Sequence, residues 1–236
     1  MALIFIIFPK MQAFDRQLVL LLAVGAVFNL IGYLTMLKSF EMEKLSAVYP
    51  VITMYPLVVI ALGIFILNET LSFSQGAGIA AALIGLLLIS LNRKMEFGSR
   101  KAMLIALISM ITWGVTSFAI GYLVKSSNWL FAAFFFRIFT LGAASMLVGI
   151  KRIDVKFPKS PNIMIILILL GIADGAGTLL FNLGVSTEAV SLIGPIAALS
   201  PVIVILLALF VLKERISNLQ KLGIAAVILG LFIIAL

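Results

Sequence analysis

Phe65-Ile66-Leu67-Asn68-Glu69-Thr70-Leu71-Ser72 and Phe210-Val211-Leu212-Lys213-Glu214-Arg215-Ile216-Ser217 are one stretch written twice, 145 residues apart. The register extends both ways without a gap. Pro50 and Pro56 fall on Pro195 and Pro201, and Gly32, Glu43, Ser46, Gln75, Gly78 and Gly85 fall on Gly177, Glu188, Ser191, Gln220, Gly223 and Gly230. Asn29–Leu91 has 22 identities in 63 positions. Apolar composition alone aligns Leu with Ile; it does not align prolines, glutamates and glycines. The chain therefore carries an internal repeat, which organises everything else read from it.

The repeat lies in a chain that cannot be covered by water. Of 236 residues, 64% are apolar and 11% charged, with a mean hydropathy of +1.29. Soluble domains are about 45–50% apolar and about 25% charged. Lipid must be the solvent, which leaves helices or closed barrels. Eight continuous apolar runs are long enough to span: Leu18–Leu37, Leu45–Leu67, Phe73–Leu91, Ala102–Leu123, Trp129–Ile150, Ile163–Val185, Ala189–Leu212 and Leu219–Leu236. A spanning helix needs about 20 such residues; barrel strands are about half as long and alternate. The longest connection is Lys151–Asn162, too short for a soluble domain. The opening MALIFIIFPK has neither a basic leader nor a cleavage site and does not read as a signal peptide.

Charge sets the orientation. Alternating sides across the spans places Lys38, Lys44, Arg93, Lys94, Arg100, Lys101, Lys151, Arg152, Lys156, Lys159, Lys213, Arg215 and Lys221 together, 13 against 3 (Lys10, Arg16, Lys125). The positive-inside rule puts the larger group in the cytoplasm and the C-terminus outside. The net charge of +8 is thus an orientation signal and not a nucleic-acid footprint.

Parity then matters. The second copy starts five spans after the first, and five is odd, so the halves enter the membrane in opposite directions. Inverted repeats of this kind build secondary transporters, with a site near the midplane. Residues 1–100 form the first repeat and 101–236 the second. The second has five spans, the first only three complete ones. Met1–Phe8 maps onto the end of a second helix, and no counterpart of Ala102–Leu123 precedes it. The expected architecture is an all-α integral membrane fold of inverted five-helix repeats. It has eight complete transmembrane helices plus the end of a ninth: a ten-helix fold lacking its N-terminal part, through a late start or a natural short form.

Ile111-Thr112-Trp113-Gly114-Val115-Thr116-Ser117-Phe118 resembles the opening helix of an EamA-type repeat. Phe134-Phe135-Phe136-Arg137 resembles its arginine-bearing second helix. Leu199-Ser200-Pro201 through Lys213-Glu214-Arg215-Ile216-Ser217, with Gly223 and Gly230, resembles its fourth and fifth helices. The resemblance covers essentially the whole chain. It implies the drug/metabolite transporter superfamily: ten helices in two inverted repeats, moving amino acids, metabolites or drugs.

Arg137 and Asp174 are the ionisable residues well inside spans, where a charge is costly unless paired or hydrated. Counted from the outer span ends they lie about 12 Å and about 16 Å deep at 1.5 Å per residue, suited to a pair on adjacent antiparallel helices. Asp174 either faces a cavity and binds a proton or cationic group, or completes a structural ion pair. Asn29 is its counterpart in the first half. Tyr33 and Thr178 share another repeat position, and Tyr49, Tyr55, Ser191 and Ser200, which neighbour the prolines, would supply cavity hydrogen bonds. Pro50, Pro56, Pro195 and Pro201 break two repeat-related helices, as proline removes a backbone donor. Such helices either line a cavity and bend during transport or are simply kinked. Trp113, deep in a span, either stacks on an aromatic or cationic substrate or packs. Trp129 reads as an interfacial anchor. Glu69 and Glu214 lie on opposite membrane faces and precede S-x-x-Q capping boxes, Ser72–Gln75 and Ser217–Gln220. Gly171-x-x-x-Gly175, Gly177 and the glycines of the last helix of each half read as close helix contacts.

With no Cys or His, thiolate chemistry and rhomboid-type Ser-His catalysis are excluded. Asp15 and Asp154 lie in loops, so no paired-aspartate protease forms. No nucleotide loop is present. A single intramembrane Arg argues against phosphate-bearing substrates. The expected function is a secondary transporter of small organic molecules in the cytoplasmic membrane, working by alternating access. It would use no cofactor or metal and bind no nucleic acid; its partners would be the substrate, the lipid bilayer and a coupling proton. The alternatives are a lipid-linked flippase or a non-transporting membrane subunit and, less favoured, an intramembrane enzyme.

Overall fold

The structure is a computed structural model that describes residues 16–43, 45–90, 99–154, 158, 160–199, 201–202 and 217–234. Among the described residues all regular structure is helical: α1 (Arg16–Met42), α2 (Leu45–Ile52), α3 (Pro56–Leu67), α4 (Phe73–Ser90), α5 (Arg100–Ser126), α6 (Trp129–Lys151), α7 (Pro161–Thr187), α8 (Val190–Ala197) and α9 (Asn218–Ile234). Helices α1, α5, α6 and α7 are long and apolar enough to cross a membrane. The 27-residue members span about 40 Å. Three shorter apolar stretches lie in α3, α4 and α9. Met1–Phe8, Asp15, Ser200 and Glu214 lie outside the described residues.

Local chemistry fixes the helix ends. Asn128 accepts from the Leu130 N–H at 2.8 Å to start α6. Asn68 and Arg152 adopt left-handed backbone, φ 53° and 50°, to end α3 and α6; asparagine tolerates that conformation better than most residues. Both expected capping boxes are formed. Ser72 N–H donates to Gln75 Oε1 (2.9 Å) and Gln75 N–H to Ser72 Oγ (3.1 Å); Ser217 and Gln220 repeat this at 2.8 and 3.2 Å.

The break between α2 and α3 differs in detail from its expectation. Pro50 lies inside α2 without ending it, and Pro195 lies inside α8. The turn falls at Thr53–Tyr55, and Pro56 opens α3. A proline at N1 needs no donor and suits a helix start, whereas the carbonyl its N–H would have reached is left over. Ile52 O is instead used by Tyr55 N–H at 3.2 Å. Three backbone bonds through this turn recur 145 residues on. Thr53 N→Tyr49 O matches Ala198 N→Gly194 O, Met54 N→Val51 O matches Leu199 N→Ile196 O, and Leu57 N→Met54 O matches Val202 N→Leu199 O.

The described chain forms two compact units, each drawing on both sequence halves. One takes the chain up to Leu30 with Ala119–Glu188; the other takes Ile31–Phe118 and Ala189–Leu236. In the first, Leu18, Leu22 and Ala26 are buried on the face of α1 where the Gly25 Cα approaches the Phe136 ring of α6. In the second, Val48, Ile52, Ala102 and Ala106 join α2 to α5, and Met54, Ile79, Leu83, Leu86, Leu192 and Ala198 form a second cluster.

Helices α4 and α9 pack backbone to backbone. A Cβ on Gly78 would lie 2.7 Å from the Gly230 carbonyl, and one on Gly230 2.5 Å from the Gly78 carbonyl; Gly85 and Gly223 oppose each other at 2.6 and 2.7 Å. The flanking contacts obey the same 145-residue exchange: Ile234 at Gly78 answers Ile89 at Gly223, and Val227 at Gly85 answers Ala82 at Gly230. Glycine is required here by the close approach of two backbones. The same expectation fails at Gly171, Gly175 and Gly177, where a Cβ would meet nothing within 4 Å among the described residues. The face α7 turns to α6 is made by Asp174, Thr178 and Asn182, which bond across to it, and not by its glycines.

Candidate functional site

In the first unit, α6 and α7 bring three of the expected residues together. Arg137 Nη1 lies 2.6 Å from Asp174 Oδ2, and Nη2 donates to the Asp174 carbonyl at 3.2 Å and to Thr178 Oγ1. Thr178 Oγ1 in turn donates to the Asp174 carbonyl at 3.0 Å. One guanidinium thus serves a carboxylate, a main-chain oxygen and a hydroxyl one turn apart, which suits its planar fork better than a lysine point charge. The side chains stay 40% and 53% exposed. That is unusual for a charge pair about 12 Å inside its helix, and it leaves the carboxylate approachable from one flank. Asn182 anchors the other end of this helix pair, donating to the Trp129 carbonyl at 3.2 Å. Asn29, 145 residues before Asp174, is half-buried on α1.

The second unit gathers an aromatic trio. The Trp113 ring meets Tyr33 edge-on at 5.3 Å between centroids and Tyr55 edge-on at 6.3 Å. Trp113 is seated because α1 carries Gly32 opposite it: a Cβ there would lie 2.3 Å from the indole. Ser109, one turn away, donates to the Gly32 carbonyl at 2.9 Å. Tyr33 is 39% exposed, so one edge of the trio stays open. Pro56 and Pro195 are among the most deeply buried side chains, and Pro201 is also buried. Pro50 is placed by its backbone in α2, and Ser200 lies outside the described residues.

Sequence reasoning missed the main part of Glu69. Its carboxylate reaches across to the start of α8, accepting from the Val190 N–H at 2.8 Å through Oε1 and from the Ser191 N–H at 2.9 Å through Oε2. The first N–H groups of a helix lack internal partners and attract negative charge. Glu69 thereby ties the end of one broken helix to the start of another. The signal was present: a glutamate kept at the same place in both copies, beside a run otherwise apolar. A second clamp joins Glu43 Oε2 to the Ser99 N–H at 3.0 Å.

Among the described residues no group of three or more Asp or Glu could hold a metal ion.

The chain is similar to known proteins at three levels. A solved structure described only as a crystal structure of a protein superposes with a TM-score of 0.75, covering 97% of this chain and 81% of that one at 18% identity, a likeness of fold alone. Uncharacterized protein MJ1333.1 of Methanocaldococcus jannaschii is 32% identical over 78 residues, 33% of this chain. The chain spans 57% of the length of that curated relative. Residues 1–91 and 100–236 match the EamA-like transporter family. With that match over nearly its whole length and several apolar helices, this multi-pass membrane protein belongs to the EamA-like transporter family.

Proposed function

We propose that the chain is a secondary transporter that moves small organic molecules through the cytoplasmic membrane by alternating access, with its C-terminus outside. Eight spans in two inverted repeats, residues 1–100 and 101–236, would carry it. The observation that bears most weight is the recurrence at 145 residues of three backbone bonds, those of Thr53, Met54 and Leu57 returning at Ala198, Leu199 and Val202. Two helices interrupted alike, entering from opposite faces, can exchange conformations at nearly equal energy. The reciprocal glycine packing of α4 on α9 supports the same two-fold relation.

Within that frame Asp174 is the residue that binds a coupling proton or a cationic group, with Arg137 and Thr178 setting its position and charge balance. Trp113, Tyr33 and Tyr55 offer ring faces to aromatic or cationic groups. Pro56 and Pro201, at the interruptions, are the bending points.

The test is saturable flux of a panel of amino acids, amines and drug-like cations in proteoliposomes, with and without an imposed pH gradient. Asp174→Asn is expected to lower transport more than it lowers folded yield. Transport by Asp174→Asn equal to the parent would remove Asp174 from the mechanism. Absence of any flux from folded protein would remove the transporter reading itself.

A further inference from the structure

The end of α3 and the start of α8 meet in a seam whose chemistry the other half of the chain keeps only in part. Glu69 accepts from the Val190 and Ser191 N–H groups, and two glycines let the helices close beneath it. A Cβ on Gly63 would lie 2.5 Å from Glu69 Oε2 and 3.2 Å from the Ser191 Cβ. One on Gly194 would lie 2.8 Å from Val59 Cγ1. Val59, Gly63, Val190, Ser191 and Gly194 are all buried. The Ser191 hydroxyl has no hydrogen-bond partner among the described residues. Leaving a buried polar group unpaired is costly, and water satisfies it when such a seam parts.

A shift of 145 residues maps this seam onto Ser46 and Tyr49 opposite Val204, Ala208 and Glu214. The carboxylate, the serine and the valine are kept. The glycines are not: Ala208 stands for Gly63 and Tyr49 for Gly194. A methyl and a ring at those places exclude the same close approach, because overpacking a tight contact is destabilising.

We propose that Glu69, Gly63 and Gly194 form a latch that holds the empty chain closed at the Glu69 end, so that it rests open at the opposite end. Under the charge-based orientation the latch is on the outer side, and the empty carrier faces the cytoplasm. A substrate reverses this bias only through contacts it makes better in the other packing. The proposal rests on the transporter reading with its inverted repeat.

The chain has no cysteine, so single thiols report cleanly. Ser191→Cys and Ser46→Cys are compared in lipid nanodiscs, where a water-soluble maleimide reaches both faces. Without substrate the thiol at 46 should react at least about ten-fold faster than the thiol at 191. Adding Gly63→Ala with Gly194→Ala should cut that ratio about ten-fold by opening the seam at 191. Two further changes guard against a variant that does not fold. Glu69→Gln, which removes one acceptor, should lower the ratio. Tyr49→Gly with Ala208→Gly, which gives the other end the same close approach, should lower it too. Equal rates at 46 and 191 in the parent would overturn the bias. A ratio unmoved by these changes would overturn the latch. Impermeant thiol labelling of Asn68→Cys and Lys213→Cys in sealed vesicles separates the two readings. Labelling from the same side would overturn the inverted repeat and the latch with it. Labelling from opposite sides with equal rates at 46 and 191 would overturn the latch alone.

Discussion

Removing the Glu69 carboxylate should loosen the chain more than any other single change at a helix end. The residue accepts two backbone N–H groups, at 2.8 and 2.9 Å, from Val190 and Ser191, both fully buried. A buried donor left without its partner costs about 1–3 kcal/mol, so Glu69→Ala is expected to destabilise by about 2–5 kcal/mol. Glu69→Gln keeps one acceptor oxygen and should cost about 1–2 kcal/mol, less than half as much. Gly63 provides the control. A Cβ there would lie 2.5 Å from Glu69 Oε2 and 3.2 Å from the Ser191 side chain. Gly63→Ala should therefore act largely by displacing the carboxylate, and most of its cost should vanish once Glu69 is already alanine. The assay is reversible unfolding in mixed micelles, followed by circular dichroism, for the two single variants and the double. A Glu69→Ala effect below about 0.5 kcal/mol, within the range of ordinary surface substitutions, would refute the clamp. Strict additivity of Gly63→Ala and Glu69→Ala would refute the route by which the two are coupled.

The glycines and the caps give sharper comparisons because each comes in a pair. Gly85→Ala and Gly230→Ala each push a methyl to within 2.6 Å of backbone on the facing helix, and both should cost about 1–3 kcal/mol in the same unfolding assay, by similar amounts. Gly142→Ala and Gly171→Ala, with nothing within 4 Å among the described residues, should instead be neutral or stabilise by up to about 1 kcal/mol through helix propensity. Ser72→Ala and Ser217→Ala each remove one half of a capping box and should each cost about 1 kcal/mol; a large inequality would mean that the two boxes do not carry equal loads.

The parts of this molecule legible in the sequence are those whose physics is local. Apolar run length gave α1, α5, α6 and α7, and the S-x-x-Q spacing gave both capping boxes, because a cap closes within three residues. The meeting of Arg137 with Asp174 followed from two depths on adjacent helices. What the sequence hid were longer reaches. Glu69 was legible as a turn residue, while its two bond partners lie 121 and 122 positions away. The interrupted helix was assigned to prolines as such, yet Pro50 and Pro195 each sit sixth in an eight-residue helix, where the missing N–H forfeits one i→i−4 bond and the helix ends two residues later. Glycine misled in one place. Gly78 and Gly171 look alike in sequence, but among the described residues only the former has a backbone against it; a missing Cβ permits close approach without supplying the neighbour.

Comparing what the two copies share with what they do not gives the last step. Kept at 145 residues are backbone devices: Pro56 and Pro201 at the interruptions, the paired glycines of α4 and α9, the Ser-Gln caps, and Glu69 with Glu214. Changed are the side chains proposed to touch substrate: Asn29 against Asp174, Tyr33 against Thr178, Tyr55 against Ser200. The alternating access proposed above asks for this division. Two packings related by an exchange of halves stay close in energy only while the elements that hinge, cap and pack are equivalent in both. A difference of 1.4 kcal/mol already biases the population about tenfold. The groups that bind substrate face no such constraint, because one molecule occupies the site in either packing and needs only one set of partners. Substitutions that make the kept devices unequal, Glu69→Gln alone for example, should therefore shift which side the protein faces. Substitutions at Asp174 or Trp113 should change what it carries while leaving that balance in place.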